Sequence, residues 1–230
     1  MVIFFKIFGV NIVLYGKFFK ILHKNIFIFE IWFINKSFCL LLLKGGFMKE
    51  FGMSDKNLKD FAYEIYLKLD RNYRPVFLCV GSDKFVCDSL APIVGELLTK
   101  KYNINAYVYG SLEYNINAHN LTTAINYIES EHPYSQIILI DATLGEDVGN
   151  VKITNGAYVS FGNLLPIKKT GDFSILGIVG KKGQSFNLNS TRLGLVYSLA
   201  NFIAKGIVMA NDVVFGKFSQ SSKFIFNCRN

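Results

Sequence analysis

Two aspartates stand where a pair of catalytic carboxylates could form. Asp141 directly follows the apolar run 136–140, and Asp88 lies in a polar loop that leads into the segment 89–102. A carboxylate at the end of an apolar strand is expensive to bury without partners, so it is more typical of a functional position than of a structural one. If the two strands are neighbours, a shared proton would give one acid and one base for attack of water on a peptide carbonyl.

Each aspartate also has a structural alternative. Asp88 stands where the N-cap residue of a helix would stand, and a capping side chain contributes about 0.5–2 kcal/mol to stability. Arg192, at the start of a later helix, could pair with either carboxylate instead of taking part in chemistry. The candidate substrate-binding residues around the aspartate pair are Ser82, Asp83, His119 and Arg192.

The sequence gives little support to other kinds of chemistry. The loop that starts at Gly81 contains neither the GxGxxG nor the GxxxxGK[ST] spacing of nucleotide-binding loops. His132 precedes Pro133 in a predicted loop and is expected at the surface. The four cysteines form no CxxC pair, and we expect Cys79 and Cys87 to be buried, reduced side chains. We therefore expect neither a metal ion nor another cofactor.

The elements that would position these residues alternate between helix and strand. Helices are predicted from apolar residues at i, i+3, i+4 spacing, and strands from short continuous apolar runs. The predicted helices cover 54–70, 89–102, 118–130 and 191–205, and the predicted strands cover 76–80, 106–109, 136–140, 151–160 and 173–179. The last two strands are expected to be short and joined by glycine-rich turns. The pattern predicts a three-layer α/β/α fold with a mostly parallel central sheet.

Composition separates the first 47 residues from the rest. They hold ten of the 22 phenylalanines and a local charge of +5 out of the total of +8. The basic character is therefore an N-terminal property and predicts no nucleic-acid partner for the folded part. Charged residues interrupt each N-terminal window that is long enough for a membrane helix. We expect a single domain over 48–210 and a C-terminal tail over 211–230, and we leave oligomerisation open.

We interpret residues 1–47 as a non-native or disordered extension. Phe, Ile, Lys, Asn and Leu are the residues that A/T-rich DNA encodes without selection on the protein. The codons of Lys44, Gly45 and Gly46 can form a purine-rich ribosome-binding sequence, so we expect translation to begin at Met48 or Met53. An amphipathic segment on a membrane surface and a β-hairpin are the structural alternatives.

Five ordered blocks of the sequence resemble the YyaC-type sporulation proteins. The blocks are FLCVGSDKFVCDSLAP, VYGSLEYNINAHNL, ILIDATLG, GDFSILGIVG and NSTRLGLV, and the resemblance covers roughly residues 54–206. These proteins resemble in turn the germination protease, which degrades small acid-soluble spore proteins and shares its fold with the hydrogenase maturation peptidases. The sequence departs from the family pattern at Ala91, where glycine is usual, and at Asn117, where histidine is found.

The resemblance implies an activity as well as a fold. By motif, the two important aspartates of the protease family fall on Asp88 in DSLAP and on Asp141 in LIDATLG. The implied function is a spore-associated aspartic-type endopeptidase in the cytoplasm of the forespore or spore, acting on a protein such as the small acid-soluble spore proteins. One alternative is a non-catalytic protein that binds a spore partner. Another is a metal-dependent maturation peptidase, which would need a third ligand such as His119.

Overall fold

The computed structural model describes residues 2–7, 10–15, 49–159, 168–182 and 191–216. The chain divides into two compact units, Met1–Gly45 and Gly46–Asn230. In the first unit, strands β1 (Val2–Ile7) and β2 (Val10–Tyr15) pair antiparallel. This pairing of residues 2–7 with 10–15 is the one expected for the β-hairpin alternative, and the other residues of 1–47 lie outside the described residues.

The second unit contains four helices and six strands among its described residues. The helices are α1 (Asp55–Lys68), α2 (Leu90–Glu96), α3 (Leu121–Glu131) and α4 (Leu193–Phe215). The strands are β3 (Lys49–Gly52), β4 (Val76–Cys79), β5 (Tyr107–Tyr109), β6 (Ile137–Gly145), β7 (Asn150–Val159) and β8 (Lys168–Lys181). A 3-10 turn, Val86–Asp88, precedes α2, and a π-helical turn, Leu97–Lys101, continues it.

The six strands form one mixed sheet in the order β3-β7-β8-β6-β4-β5. Strands β8, β6, β4 and β5 run parallel, whereas β7 and β3 add antiparallel pairs at one side. Helix α3 covers one face, and α1, α2 and α4 pack on the other. The predicted α/β fold with a mostly parallel central sheet is therefore confirmed.

Strand β4 shows why these residues form a central strand. All four of its side chains are buried, and they alternate between the two faces of the sheet. Phe77 and Cys79 belong to the core under α1, α2 and α4, while Val76 and Leu78 belong to the core under α3. Burying a large apolar side chain contributes about 1.5–3 kcal/mol, so a continuous apolar run is most stable between two helical layers.

Helix α1 begins where the sequence predicts. The Ser54 side chain accepts a hydrogen bond from the Asn57 backbone N–H at 3.2 Å and so caps the first turn. Phe61, Ala62 and Ile65 then form its buried stripe. The predicted capped amphipathic helix is confirmed.

The last part of the sheet differs from the prediction of short strands. Strands β7 and β8 have 10 and 14 residues and are the longest in the sheet among the described residues. They pair antiparallel with each other. Strand β7 has the length that was predicted, whereas β8 extends beyond the predicted 173–179 at both ends, through pairing with β7 at its start and with β6 at its end. Residue 160, predicted to end the first of these strands, lies outside the described residues.

Helix α4 continues beyond the predicted end at residue 205 and beyond the proposed domain boundary at 210. Ile207 and Ala210 are buried in the core, which explains the extension to Phe215. Residues 217–230 of the predicted tail lie outside the described residues. Of the described helices, α4 is long and apolar enough to cross a membrane, but half of that stretch is buried in the protein. Phe202 of α4 stacks on Phe61 of α1 with ring centroids 5.2 Å apart, as in the core of a globular domain.

His132 is half-buried, so the expectation of a surface side chain is wrong. It ends α3, its Nε2 lies 2.7 Å from the Tyr109 hydroxyl, and its ring stacks on Tyr107. Burial lowers the pKa of His132. The expectation for Cys79 and Cys87 is confirmed, because both are buried and neither forms a disulfide.

Candidate active site

The two aspartates belong to neighbouring parallel strands, because Asp141 lies on β6 and Asp88 lies in the loop that follows β4. Strands β4 and β6 pair in register from Val76 opposite Ile137 to Cys79 opposite Ile140. Asp141 comes directly after this paired stretch. The condition that the two strands be neighbours is thus met. Strand β4 ends here and β6 continues to Gly145, so Asp141 lies toward the carboxyl ends of the strands, where open α/β sheets bind ligands.

The loop after β4 is held in a fixed path that returns to Asp88. The Gly81 N–H donates to the Ile116 carbonyl at 2.8 Å, and the Ser82 N–H donates to the Asp88 carbonyl at 3.1 Å. A Cβ atom on Gly81 would lie 2.2 Å from that same carbonyl oxygen. Only glycine leaves room for the loop to close against Asp88.

Asp88 does not cap a helix, so the structural alternative for it is wrong. It is the last residue of the 3-10 turn, and Ser89 occupies the N-cap position of α2 without a side-chain capping bond. The Ser89 hydroxyl instead donates to the Val86 carbonyl at 2.8 Å. The 3-10 turn places Asp88 one residue before the N-cap position of α2, so its carboxylate does not cap the helix.

Asp141 carries the more strongly perturbed carboxyl group of the pair. Protein surrounds it on most sides, although part of the side chain still reaches solvent. The pKa of Asp141 is raised to about 7, mainly by this burial and to a smaller extent by the negative charge of Asp88. The Ala142 N–H donates to Asp141 Oδ1 at 2.7 Å and partly opposes the rise.

Asp88 lies in a less enclosed position. Burial raises the pKa of Asp88, and a hydrogen bond from the Ser82 N–H opposes the rise. None of the ion pairs between described residues includes Asp88, Asp141 or Arg192. The alternative in which Arg192 neutralises one aspartate therefore has no support in the described part of the chain.

Of the four predicted substrate-binding residues, two lie in the same loop as Asp88 and two have no hydrogen bond or ion pair with the aspartates. Ser82 and Asp83 lie in the loop that ends at Asp88, and Asp83 Oδ1 accepts a hydrogen bond from Asn115 Nδ2 at 2.8 Å. His119 is exposed, and its backbone N–H donates to Asn117 Oδ1 at 3.0 Å. Arg192 is exposed at the N-cap position of α4. No hydrogen bond or ion pair between described residues joins either His119 or Arg192 to the aspartates.

Asn115 is a site residue that the sequence reasoning missed. It ties the segment before α3 to the Asp83 loop, and its neighbour Ile116 forms a parallel bridge with Val80 at the end of β4. Asn115 Oδ1 is buried and accepts no hydrogen bond from the described residues. The run Asn115, Asn117 and Asn120 was the available signal, because asparagines cluster where backbone turns need side-chain bonds.

The described residues contain no group of three His, Cys, Asp or Glu side chains that could hold a metal ion. Asp88 and Asp141 provide two oxygen ligands, and His119 does not join them. Structural and catalytic zinc sites use at least three protein ligands. The maturation-peptidase alternative lacks its third ligand in this part of the chain.

Comparison with known proteins identifies relatives of the whole α/β domain. A sequence model of the family described as "Protein of unknown function (DUF1256)" matches residues 51–206. The "Uncharacterized protein YyaC" of Bacillus subtilis (strain 168) is 35% identical over 141 residues, which are 59% of this chain and 69% of that protein. The resemblance to YyaC-type proteins is confirmed, and Asp88 and Asp141 both lie within the family match. The further relation to the germination protease stays a prediction.

Proposed function

This chain belongs to the DUF1256 family, and we propose that it is an aspartic-type endopeptidase in which Asp88 and Asp141 act together on a peptide bond. The main support is the pair itself. One carboxyl group lies on β6 and the other in the loop after the adjacent parallel strand β4, they interact electrostatically, and the first has a pKa of about 7. Pairs of acids whose environments separate their protonation are typical of hydrolytic sites.

In the proposed reaction, each aspartate has one role at neutral pH. Asp88, the less enclosed residue, is ionised and takes a proton from the attacking water. Asp141 is protonated and gives its proton to the leaving nitrogen as the bond between carbonyl carbon and nitrogen breaks. Water adds its oxygen to the carbon, and transfer of the acquired proton from Asp88 to Asp141 restores both groups for the next turnover. General acid–base catalysis of this kind contributes about 10²- to 10⁴-fold to the rate.

We further propose that the substrate is a protein, and that small acid-soluble spore proteins are the first ones to test. The same proposal assigns the protein to the cytoplasm of the forespore or spore, where such substrates are found. The support is the resemblance of the DSLAP and LIDATLG blocks to those of the germination protease.

Cleavage of small acid-soluble spore proteins by the full chain tests this proposal. The parent should cleave them, and Asp88→Asn and Asp141→Asn should each lose about 100-fold or more of kcat/KM. Asp60→Asn is a matched control, because Asp60 is an exposed aspartate on α1. Circular dichroism would establish that each variant is folded.

Two results would contradict the proposed activity. The first is a folded Asp88 or Asp141 variant that keeps the parent rate. The second is a folded parent that cleaves none of these proteins. The second result would favour the non-catalytic role, in which the same crevice binds a spore partner.

A further inference from the structure

Strand β6 is longer than its neighbour β4. Its pairing with β4 ends at Ile140, whereas its pairing with β8 continues to Gly145 opposite Lys181. From Asp141 to Gly145, β6 is therefore paired with a described strand on one side only. The chain leaves the other side at Gly81, where β4 would otherwise continue.

The direction of each backbone group follows from two hydrogen bonds. The Val80 N–H donates to the Ile140 carbonyl at 2.9 Å, and the Lys182 N–H donates to the Gly145 carbonyl at 3.0 Å. Backbone groups of successive residues in a parallel strand point to opposite neighbours. Ala142 and Leu144 therefore face the side that β4 has left, while Asp141, Thr143 and Gly145 face β8.

Three backbone groups on this edge lack a strand partner among the described residues. The Ala142 N–H already donates to Asp141 Oδ1 at 2.7 Å. The Ala142 carbonyl and the N–H and carbonyl of Leu144 remain, and the Leu144 carbonyl receives only a 3.5 Å contact from the Thr143 hydroxyl. Leu144 is 38% exposed, so solvent reaches the strand at this residue.

We propose that an extended segment of another polypeptide adds a strand to β6 at Ala142–Leu144, beside Asp141. The inference rests on the proposed function, because this segment is the substrate of the aspartate pair. The free groups are backbone donors and acceptors at a two-residue spacing, and an extended backbone is the ligand that matches such a row. In a folded protein most backbone groups are already paired, and free ones are confined to edge strands. The substrate class is therefore an unfolded or locally extended protein chain.

The position of the edge connects strand addition to the chemistry. Asp141 immediately precedes Ala142, so a backbone paired with Ala142 lies next to the carboxyl group whose pKa is raised. The edge orients a peptide bond without reading its side chains. Binding should then depend on the extended state of the substrate more than on one particular residue.

A proline substitution separates the backbone contact from the side-chain contact. Leu144→Pro removes the Leu144 N–H on the free side and leaves the bonds to β8 intact, because those belong to Asp141, Thr143 and Gly145. Leu144→Ala is the matched control, since it shortens the same side chain and keeps the N–H. Both changes are made in an Asp88→Asn background, so that binding is measured without turnover.

The probe is fluorescein-labelled lactalbumin, either unfolded by reduction and carboxymethylation or folded with its disulfides intact. We expect the Asp88→Asn chain and its Leu144→Ala form to bind the unfolded probe alike, and Leu144→Pro to bind it about tenfold more weakly. The folded probe should bind to none of them. Equal binding by the proline and alanine forms, or no binding of the unfolded probe, would overturn the inference.

Amide hydrogen exchange tests the same contact without the proline variant. Addition of the unfolded probe should slow exchange of the Leu144 amide at least about tenfold and leave the Thr143 amide unchanged, because Thr143 is already bonded to β8. An unchanged Leu144 amide with bound probe would overturn strand addition. Binding with Leu144 protection but no cleavage by the parent would leave strand addition standing and reject the peptidase. Cleavage with the same KM in the parent and in Leu144→Pro would support the peptidase and reject strand addition.

Discussion

Asp141 occupies a position in which an ionised carboxylate lowers the stability of the folded protein. The carboxyl group sits among protein atoms beside a second carboxylate, and both effects disfavour its ionised form. Its only hydrogen bond between described residues is the one from the adjacent Ala142 N–H at 2.7 Å. A position that costs stability at neutral pH and has no structural partner is typical of a functional residue.

Replacing Asp141 should stabilise the protein in a pH-dependent manner. The pKa is raised from 3.8 to about 7 on folding, so the folded state binds the proton more tightly and the free energy of unfolding falls as pH rises through that window. Asp141→Asn removes this loss and can still accept the Ala142 N–H. We expect the free energy of unfolding to increase by about 1–3 kcal/mol at pH 8 and to change little at pH 4. This range is smaller than full burial would give, because part of the side chain is in contact with solvent.

Urea unfolding at pH 4 and pH 8 measures this difference. Asp60→Asn is the control, since its exposed position should give the same small change at both pH values. An Asp141→Asn gain that is independent of pH would contradict the explanation by ionisation. A less stable Asp141→Asn protein at pH 8 would show that the carboxylate has a structural role.

At the scale of the elements, close packing between helices limits which side chains are tolerated where two helices meet. A Cβ atom on Gly206 of α4 would lie 2.3 Å from Cδ1 of Phe61 on α1. Phe61 is fully buried and cannot move away without disturbing Phe51 and Phe202, whose rings it contacts. The glycine therefore sets how closely α1 and α4 approach.

Two glycines of the same helix provide a matched comparison. Gly206→Ala should destabilise the domain by about 1–3 kcal/mol, because the added methyl group overpacks the contact with Phe61. Gly194→Ala should be neutral or stabilising by up to about 1 kcal/mol, since a Cβ there meets nothing within 4 Å and alanine favours the helix. Thermal and urea unfolding of both variants would measure the two effects. Equal effects of the two substitutions would contradict this account of the contact between α1 and α4.

The length of β6 is a second feature that belongs to the element scale. The sequence predicted an end at residue 140, because Asp141 and Thr143 interrupt the apolar run. In the structure β8 pairs with β6 as far as Gly145 and keeps it extended. A partner strand satisfies the backbone of polar residues as well as that of apolar ones, so hydrophobicity alone set the predicted boundary too early.

At the scale of the whole molecule, the core residues of the α/β fold lie in the second unit among the residues whose burial the structure describes. They run from Phe51 to Ala210, and the family match covers 51–206 of the same region. The division of the chain at Gly45 and Gly46 falls ahead of the first core residue. The α/β domain thus carries its own hydrophobic core.

Removal of residues 1–45 should therefore leave the α/β domain folded. We expect one cooperative transition for 46–230, with a free energy of unfolding within about 1 kcal/mol of that of the same transition in the full chain. Urea unfolding of both proteins is followed by far-UV circular dichroism. Tryptophan fluorescence is unsuitable, because the deletion removes Trp32. Loss of cooperative unfolding in 46–230 would contradict an independent domain.

The sequence alone determined the features that depend on local pattern. Apolar periodicity located the four helices and the central strands, and the prediction of these elements succeeded because burial between two helical layers leaves a continuous apolar signal. The acid after an apolar run and the acid in the loop before a helix singled out Asp141 and Asp88 as candidates, and their role stays a prediction. The N-cap alternative for Asp88 failed because a 3-10 turn and a capped helix start have nearly the same residue pattern.

Only the tertiary structure decided the features that depend on partners distant in the chain. The order of the strands made β4 and β6 neighbours, and that adjacency brought the two carboxyl groups close enough for one charge to raise the other pKa. Strand β6 last pairs with β4 at Ile140, and its pairing with β8 extends it five residues further, to Gly145. The packing of α4 against the core extended that helix to Phe215. Hydrogen bonds and electrostatic interactions act across space, so residues far apart in sequence determine the pKa of an aspartate and the end of a strand.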